Sequence, residues 1–380
     1  LNTIRRSKKG HLSLTDSLSL APLVHRMKSN ANSLTLITTL SAMTLTMVAI
    51  AYSTYYSAEE TTRNMMPQDF GLHGAFISVE EREQFKQALA QEGIAYSEVN
   101  YHAYRIDASL LTPQFPEMMA GDYQLVVYSE DEVAKGRYQG VLEGPTIHYP
   151  SMAWLMKDVK FPTTIELADG KKFTVNRLGK GSIYNLSSNE AALVVDASTY
   201  EDLKAYQIEG YDEERYALNI MDEANQEKAV ELFESTVKLE NHTPVAYYKM
   251  FQSTLEGSGM FIFISGFLGL VFLMSTGSIL YFKQMTEAEQ EKASYRTLRQ
   301  LGFSEKEIMR GIRKKQWIVF GFPLLIGLLH SWFAVKSADV IFMTDVTIPT
   351  VIAMVVYSLI YMVFAILTLG YYRRIVHQSL

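Results

Sequence analysis

The residue types that usually carry chemistry are spaced for no covalent reaction in this 380-residue chain. The nearest approach to a phosphate-binding loop is Gly179-Lys180-Gly181-Ser182. It lacks the earlier glycine and has Gly where Ser or Thr must follow Lys, so the chain has no P-loop of its own. No HExxH or GxSxG occurs, and no two of the eight histidines have metal-ligand spacing. The acidic run Asp212-Glu213-Glu214 lacks the alternation of a calcium loop and reads as a solvated face. No catalytic or metal-ligating residue is therefore expected, no residue is singled out for ligand binding, and an enzyme is a weak reading.

A different pattern runs from Gln284 to Gln316, where many local signals agree on a rigid helical elbow. Thr286 with Glu289 three residues on reads as a capping box opening a first short helix. Glu287, Glu289 and Glu291 suit the positive end of its dipole, and Arg296 and Arg299 the negative end. Tyr295, Leu298 and Leu301 recur every three residues as a short, exposed apolar stripe. Gly302 supplies the left-handed position that ends the helix, and Ser304 with Glu307 opens a second one at once.

Four stretches around this elbow are free of charge over a length that crosses a bilayer, which takes about 20 residues. They are Ser29–Ala58, Gly257–Phe282, Gln316–Val335 and Val346–Tyr372, and they make this an integral membrane protein. The mean hydropathy of 0.00 hides the division. Arg5, Arg6, Lys8, Lys9, Arg26 and Lys28 precede the first span, Arg310, Arg313, Lys314 and Lys315 close the elbow, and Arg373 and Arg374 follow the last span. By the positive-inside rule these regions are cytoplasmic and Ser57–Glu256 is extracellular. That outer block holds 17 basic and 33 acidic residues, a net of −16, whereas the rest of the chain sums to +10. With no cysteine, it must be held by its own core.

The expected organisation is a cytoplasmic linker and interfacial helix (1–30), a first span (31–58) and the extracellular domain (59–256). A second span (257–282), the elbow (283–316), a third span (317–335), an outer loop (336–347), a fourth span (348–372) and a cytoplasmic tail (373–380) follow. The interfacial helix has an alternative, an early start of the first span with snorkelling basic side chains. Thr, Ser and Ala crowd one side of that span, and Ser265 and Gly269 give the second a small-residue contact face. Pro323 falls inside the third.

In the outer block strands alternate with helices. Gly74–Val79 precedes a helical EEREQFKQALAQ, Ala191–Ala197 precedes a helix capped by Ser198 and Glu201, and Tyr216–Met221 precedes a helix with Ala229, Leu232, Phe233 and Val237 on one face. Tyr123–Ser129 reads as a strand, and Thr164–Val175 as a hairpin turning at Asp169-Gly170. The fold class is thus an α-helical membrane protein of four spans with a large α/β or α+β domain of mixed strand order. Any division of that domain is expected near Gly140–Pro150.

The elbow resembles the cytoplasmic loop of FtsX-like ABC transporter permeases. Their YxxLRxLGxSxxEI pattern stands here as Tyr295, Leu298, Arg299, Leu301, Gly302, Ser304, Glu307 and Ile308. In that family the loop passes ATPase motion to the spans, which makes Tyr295, Arg296, Leu298, Arg299, Leu301 and Gly302 the implied ATPase-coupling residues. The bland alternative is a capped turn that only connects two spans. Ser19–Asn30, the elbow and Phe320–Ala338 further resemble the BceB type, whose members have ten spans, so six spans are expected to precede this chain. MacB or LolC type permeases and an FtsX-like scaffold for a cell-wall hydrolase are the alternatives. The BceB resemblance implies resistance to, and sensing of, peptide antibiotics such as bacitracin, by freeing lipid-linked cell-wall precursors from the drug. The implied partners are two copies of a BceA-like cytoplasmic ATPase holding ATP and Mg, a BceS-like sensor histidine kinase, and the antibiotic or an undecaprenyl-linked lipid. No cofactor is expected in this chain, and no nucleic acid is an expected partner.

Overall fold

The computed structural model describes residues 14–74, 77–138, 140, 144–149, 155–185, 191–238, 246–342 and 344–378. In chain order, helix α1 (Leu14–Tyr56) is followed by α2 (Ala58–Met65), β1 (Phe70–His73), α3 (Val79–Gln91), β2 (Tyr96–Leu110), β3 (Gly121–Ser129) and α4 (Glu130–Ala134). Next come β4 (Thr146–His148), β5 (Thr163–Leu167), β6 (Lys172–Val175), β7 (Arg177–Leu178), β8 (Ala191–Val195), α5 (Ala197–Leu203), β9 (Gln207–Ile220) and α6 (Gln226–Thr236). Three long helices close the chain: α7 (Tyr247–Gln300), α8 (Glu305–Phe342) and α9 (Thr347–His377). These elements form two compact units. One gathers Leu1–Tyr56, Ser258–Asp339 and Asp345–Leu380; the other gathers Ser57–Gly257 with Val340–Thr344.

In the first unit α1, α7, α8 and α9 are each long and apolar enough to cross a membrane. Their small residues let backbones approach. A Cβ on Gly269 of α7 would stand 2.7 Å from Val48 Cγ2 on α1, and one on Gly327 of α8 would stand 3.4 Å from Ser41 Cβ. Ile37, Leu45, Leu273, Leu280, Phe320, Tyr357 and Tyr361 fill the centre. The outward faces are as apolar as the inner ones, with Phe263, Phe267, Phe322, Phe333 and Leu359 exposed. Such faces suit lipid and would be a liability in water.

Two expectations are corrected here. Thr286 caps nothing: α7 runs unbroken past it, and its hydroxyl donates to the Phe282 carbonyl one turn back. No glycine or proline follows Phe282 to end the helix, so span and elbow are one rod of 54 residues. Likewise α1 is continuous from Leu14 through the first span, which is the early-start reading and not a separate interfacial helix. Pro323 lies within α8 without ending it.

Among the described residues the second unit holds a nine-stranded mixed sheet in the order β1-β9-β2-β3-β8-β4-β7, with β5 on β2 and β6 on β5. Its pivot, β2, is a 15-residue strand that pairs antiparallel with β9, β3 and β5. In β3, Leu125 and Val127 enter one core while Val126 and Tyr128 enter the other, and β8 divides in the same way. Burial on both faces is why those strands are unbroken apolar runs. At the β1 end, Phe70 packs on Phe85 of α3 and Phe233 of α6, with ring centroids 5.0 and 5.3 Å away. Among the described residues no division falls near Gly140–Pro150, since β4 pairs with both β7 and β8 in the same sheet.

The β5–β6 hairpin turns at Gly170, φ +80°, in line with the Asp169-Gly170 signal. The strand expected over Gly74–Val79 instead lies one turn earlier as β1, and residues 75–76 fall outside those described. Asp196, not Ser198, caps α5: its carboxylate accepts from the Thr199 N–H at 3.0 Å. At the base of this unit Asp69 is buried and accepts from Arg63, Arg137, Gln226 and the Ile220 N–H. Arg63 also stacks over the Tyr247 ring at 3.2 Å, tying together the two chain segments by which the domain is entered and left.

Candidate functional site

The elbow is built at the end of α7. The Phe303 N–H donates to the Leu298 carbonyl at 3.1 Å and the Gly302 N–H to the Arg299 carbonyl at 3.0 Å, with Gly302 at φ +91°. This is a Schellman ending, and its apolar contact is present because Leu298 and Phe303 pack on one core. Ser304 then caps α8: its N–H and hydroxyl both donate to Glu307 Oε2, at 2.8 and 2.6 Å, and the Glu307 N–H donates back to Ser304 Oγ. The turn is closed on both sides by hydrogen bonds within six residues of chain, and this makes it stiff.

Beneath the turn Ala288, Tyr295, Ile308, Ile312, Tyr372 and Ile375 form a small apolar core shared by α7, α8 and α9. A polar network is set into it. Lys315 Nζ lies 3.0 Å from Glu291 Oε1 and 3.2 Å from Glu287 Oε2, all three side chains being almost fully buried. The Tyr295 hydroxyl donates to Glu291 Oε2 at 2.5 Å. Gln316 donates to Gln284 Oε1 at 2.7 Å, and Gln284 in turn donates to Glu287 at 3.3 Å. The Tyr372 hydroxyl, 3.4 Å from Gln284 Oε1, brings α9 into the same set. In this low-dielectric pocket each charge has an opposite partner, as burial requires.

The residues singled out in the sequence divide between the two sides of this joint. Tyr295 is only 7% exposed and Leu298 is half-buried, so both face inward and the expected exposed stripe does not exist. Leu301 is 70% exposed. Arg296 and Gly302 are also exposed, and Arg299 is half-buried with Nη1 3.4 Å from the Phe303 carbonyl. Of the residues singled out, Arg296, Leu301 and Gly302 therefore face outward. Sequence reasoning missed Gln284, Glu287, Glu291, Lys315, Gln316 and Tyr372. The i, i+4 spacing of Glu287 and Glu291 was a signal, but which of the elbow's cations faces them depends on how α8 is rotated.

A span, a large mixed-sheet domain, and three further spans joined by a doubly capped elbow are the architecture of a polytopic membrane protein. Comparisons with known proteins bear this out. The whole chain is 35% identical to the bacitracin export permease protein BceB of Halalkalibacterium halodurans, and 35% identical to that of Bacillus subtilis, covering 60% of each. It is also 24% identical over 92% of its length to the ABC transporter permease protein YxdM of B. subtilis, covering 56% of that protein. No family model matches. The match runs over the whole chain and supports a BceB-type ABC transporter permease, and the chain spans about 60% of the length of these curated relatives.

Proposed function

We propose that this chain is the membrane subunit through which a BceB-type transporter recognises a peptide antibiotic and couples that recognition to ATP hydrolysis in a partner. The observation that carries the reading is the match over the entire chain to two permeases named for bacitracin export. The sheet domain faces outward, because basic residues cluster at the opposite ends of the spans. It meets the drug, or the drug on its undecaprenyl-linked lipid, at the membrane surface. The elbow lies in the cytoplasm against a BceA-like ATPase, present in two copies and holding ATP and Mg.

Physically, the elbow suits this role because motion applied at Arg296 and Leu301 has no soft element in which to dissipate. Those residues sit at the end of one unbroken helix that is also the second span. The Glu287–Lys315–Glu291 joint carries the displacement into α8, and Tyr372 carries it into α9. The displaced spans release the drug from its target and report flux to a BceS-like histidine kinase.

Leu301→Asp tests the coupling, since Leu301 is an exposed apolar side chain with no role in the elbow's core. The expected outcome is a loss of bacitracin resistance by about tenfold or more in minimum inhibitory concentration, with membrane insertion and thermal stability unchanged. A hot-spot contact of this kind is worth about 2 kcal/mol or more. Full resistance in the variant would sink the proposal.

A further inference from the structure

Between the start of α8 and the end of α9 lies an open groove of about 460 Å³, lined by Glu305, Lys306, Met309, Arg313, Ile366, Leu369, Gly370 and Arg373. That volume falls in the range of small-molecule sites. Two features of its lining belong together. Part of the lining is apolar: Ile366, Leu369 and Gly370 lie in the charge-free run that ends at Tyr372, and the half-buried Met309 adds to it from α8. The rest is largely basic, with Lys306, Arg313 and Arg373 all exposed. The groove thus straddles the level at which these helices pass from apolar to charged, which in a bilayer is the level of the headgroups.

Its charge is not cancelled internally. Glu305 is the one acidic lining residue, and it is already engaged, 4.0 Å from Arg373 Nε and 3.7 Å from His377 Nδ1. Arg313 Nε donates to the Met309 carbonyl at 3.4 Å, a contact that leaves its charge in place. Lys306 has no ion-pair partner among the described residues. Three cations against one carboxylate leave a formal surplus of two positive charges beside an apolar surface. Nor is that surface closed: a Cβ built on Gly370 meets nothing within 4 Å, so the helix surface there is open to an occupant.

We propose that this groove is a binding site for one anionic phospholipid, its phosphate held by Lys306, Arg313 and Arg373 and the upper part of an acyl chain lying on Met309, Ile366 and Leu369. Amphipathic complementarity selects this occupant. A free phosphate would leave the apolar surface wet, and a zwitterionic lipid would bring its own cation to a site that already has a surplus. Basic residues near a bilayer surface each favour anionic lipid by about 1 kcal/mol, and apolar contact beneath them adds to that. Because the groove is formed on α8 directly beyond the Ser304 cap, a lipid seated in it would bias the set of the elbow. The site itself needs neither an ATPase nor a drug, so it stands or falls apart from the function proposed above.

Native mass spectrometry of the purified full chain in detergent, titrated with phosphatidylglycerol or phosphatidylcholine, tests the site. The expected result is one tightly retained phosphatidylglycerol, preferred over phosphatidylcholine by about tenfold. Lys306→Gln with Arg313→Gln and Arg373→Gln should reduce the preference to about twofold or less. The same number of charges removed from the sheet domain, as Lys171→Gln, Lys172→Gln and Lys228→Gln, should leave it unchanged. Gly370→Trp, which fills the groove without touching its charges, should lower phosphatidylglycerol occupancy even if the triple variant folds poorly. Equal retention of the two lipids, an undiminished preference in the triple variant, full occupancy with Gly370→Trp, or displacement by excess glycerol phosphate would each overturn the proposal.

Discussion

Gly302 and His148 show how one residue's surroundings set what it does. Gly302 has open space where a Cβ would be, so the constraint on it is its backbone angle of φ +91° and not packing. A β-branched residue there costs about 1–2 kcal/mol, while Asn visits this region more readily. Gly302→Val should therefore lower the thermal stability of the purified chain measurably and Gly302→Asn much less. Equal losses would show that the angle is not what matters. His148 is fully buried in the sheet domain, with Nδ1 3.1 Å from the Gly181 carbonyl and its ring against Tyr138. Burial pushes its pKa down to about 4, against the opposing pull of the Gly181 carbonyl. The unfolded chain, with an ordinary value near 6.5, binds this proton first as pH falls. The contribution to stability is full above about pH 6.5 and is lost on descending towards pH 4, amounting to about 2 kcal/mol between pH 7.5 and pH 5. Chemical denaturation at those two pH values measures the difference, and His148→Gln should remove most of it.

At the scale of elements, the membrane unit is a set of rods whose joint is polar. Lys315 on α8 sits between Glu287 and Glu291 on α7, and Tyr372 on α9 touches the same set. Removing the cation leaves two buried carboxylates facing each other without compensation. Lys315→Met should cost about 3–5 kcal/mol, read as a fall in the thermal midpoint of the detergent-solubilised chain. Glu287→Gln or Glu291→Gln alone leaves Lys315 a remaining partner and should cost less. A Lys315→Met protein as stable as the parent would mean that the network is solvated. In the sheet domain the corresponding organiser is β2, against which β3, β5 and β9 register. Its Tyr101, Ala103, Ile106, Ala108 and Leu110 are buried, while the intervening His102, Asp107 and other polar residues face outward along much of its length.

For the molecule as a whole, the decisive property is the contrast between a unit whose four spans carry apolar outer faces and a unit with its own two-faced sheet core. A net of −16 on residues 57–256 would favour the approach of cationic ligands to that domain. Between exposed charges such steering fades beyond about 8 Å at physiological salt and changes on-rates more than selectivity. Selectivity should then follow the local surface of the domain. Exchanging residues 60–255 for the matching block of a relative with a different drug range should transfer the donor's resistance profile and keep the host's ATPase pairing. A profile that stays with the spans would put recognition inside the membrane.

What the sequence by itself determined is whatever depends on neighbours within a turn or two of chain. Charge-free length marked the four spans, because a lipid-crossing helix satisfies its own backbone. Gly302, Ser304 with Glu307, and Asp169-Gly170 announced their turns, because a left-handed glycine and a capping box are complete within a few residues. The Thr286 box failed for the same local reason: a capping pattern marks a helix start only where the preceding residues cannot continue the helix, and here they do. The alternation in β2 was present in the sequence but interrupted by tyrosines and charges, which hid the strand on which the sheet depends. Only tertiary structure decided that Tyr295 turns inward while Leu301 stays out, and that Lys315, rather than Arg310, Arg313 or Lys314, is buried between two glutamates. The reason is geometric. A helix fixes the angles between its own side chains, but its rotation about its axis is set by the helices it packs against, and those contacts are made by residues far away in the chain.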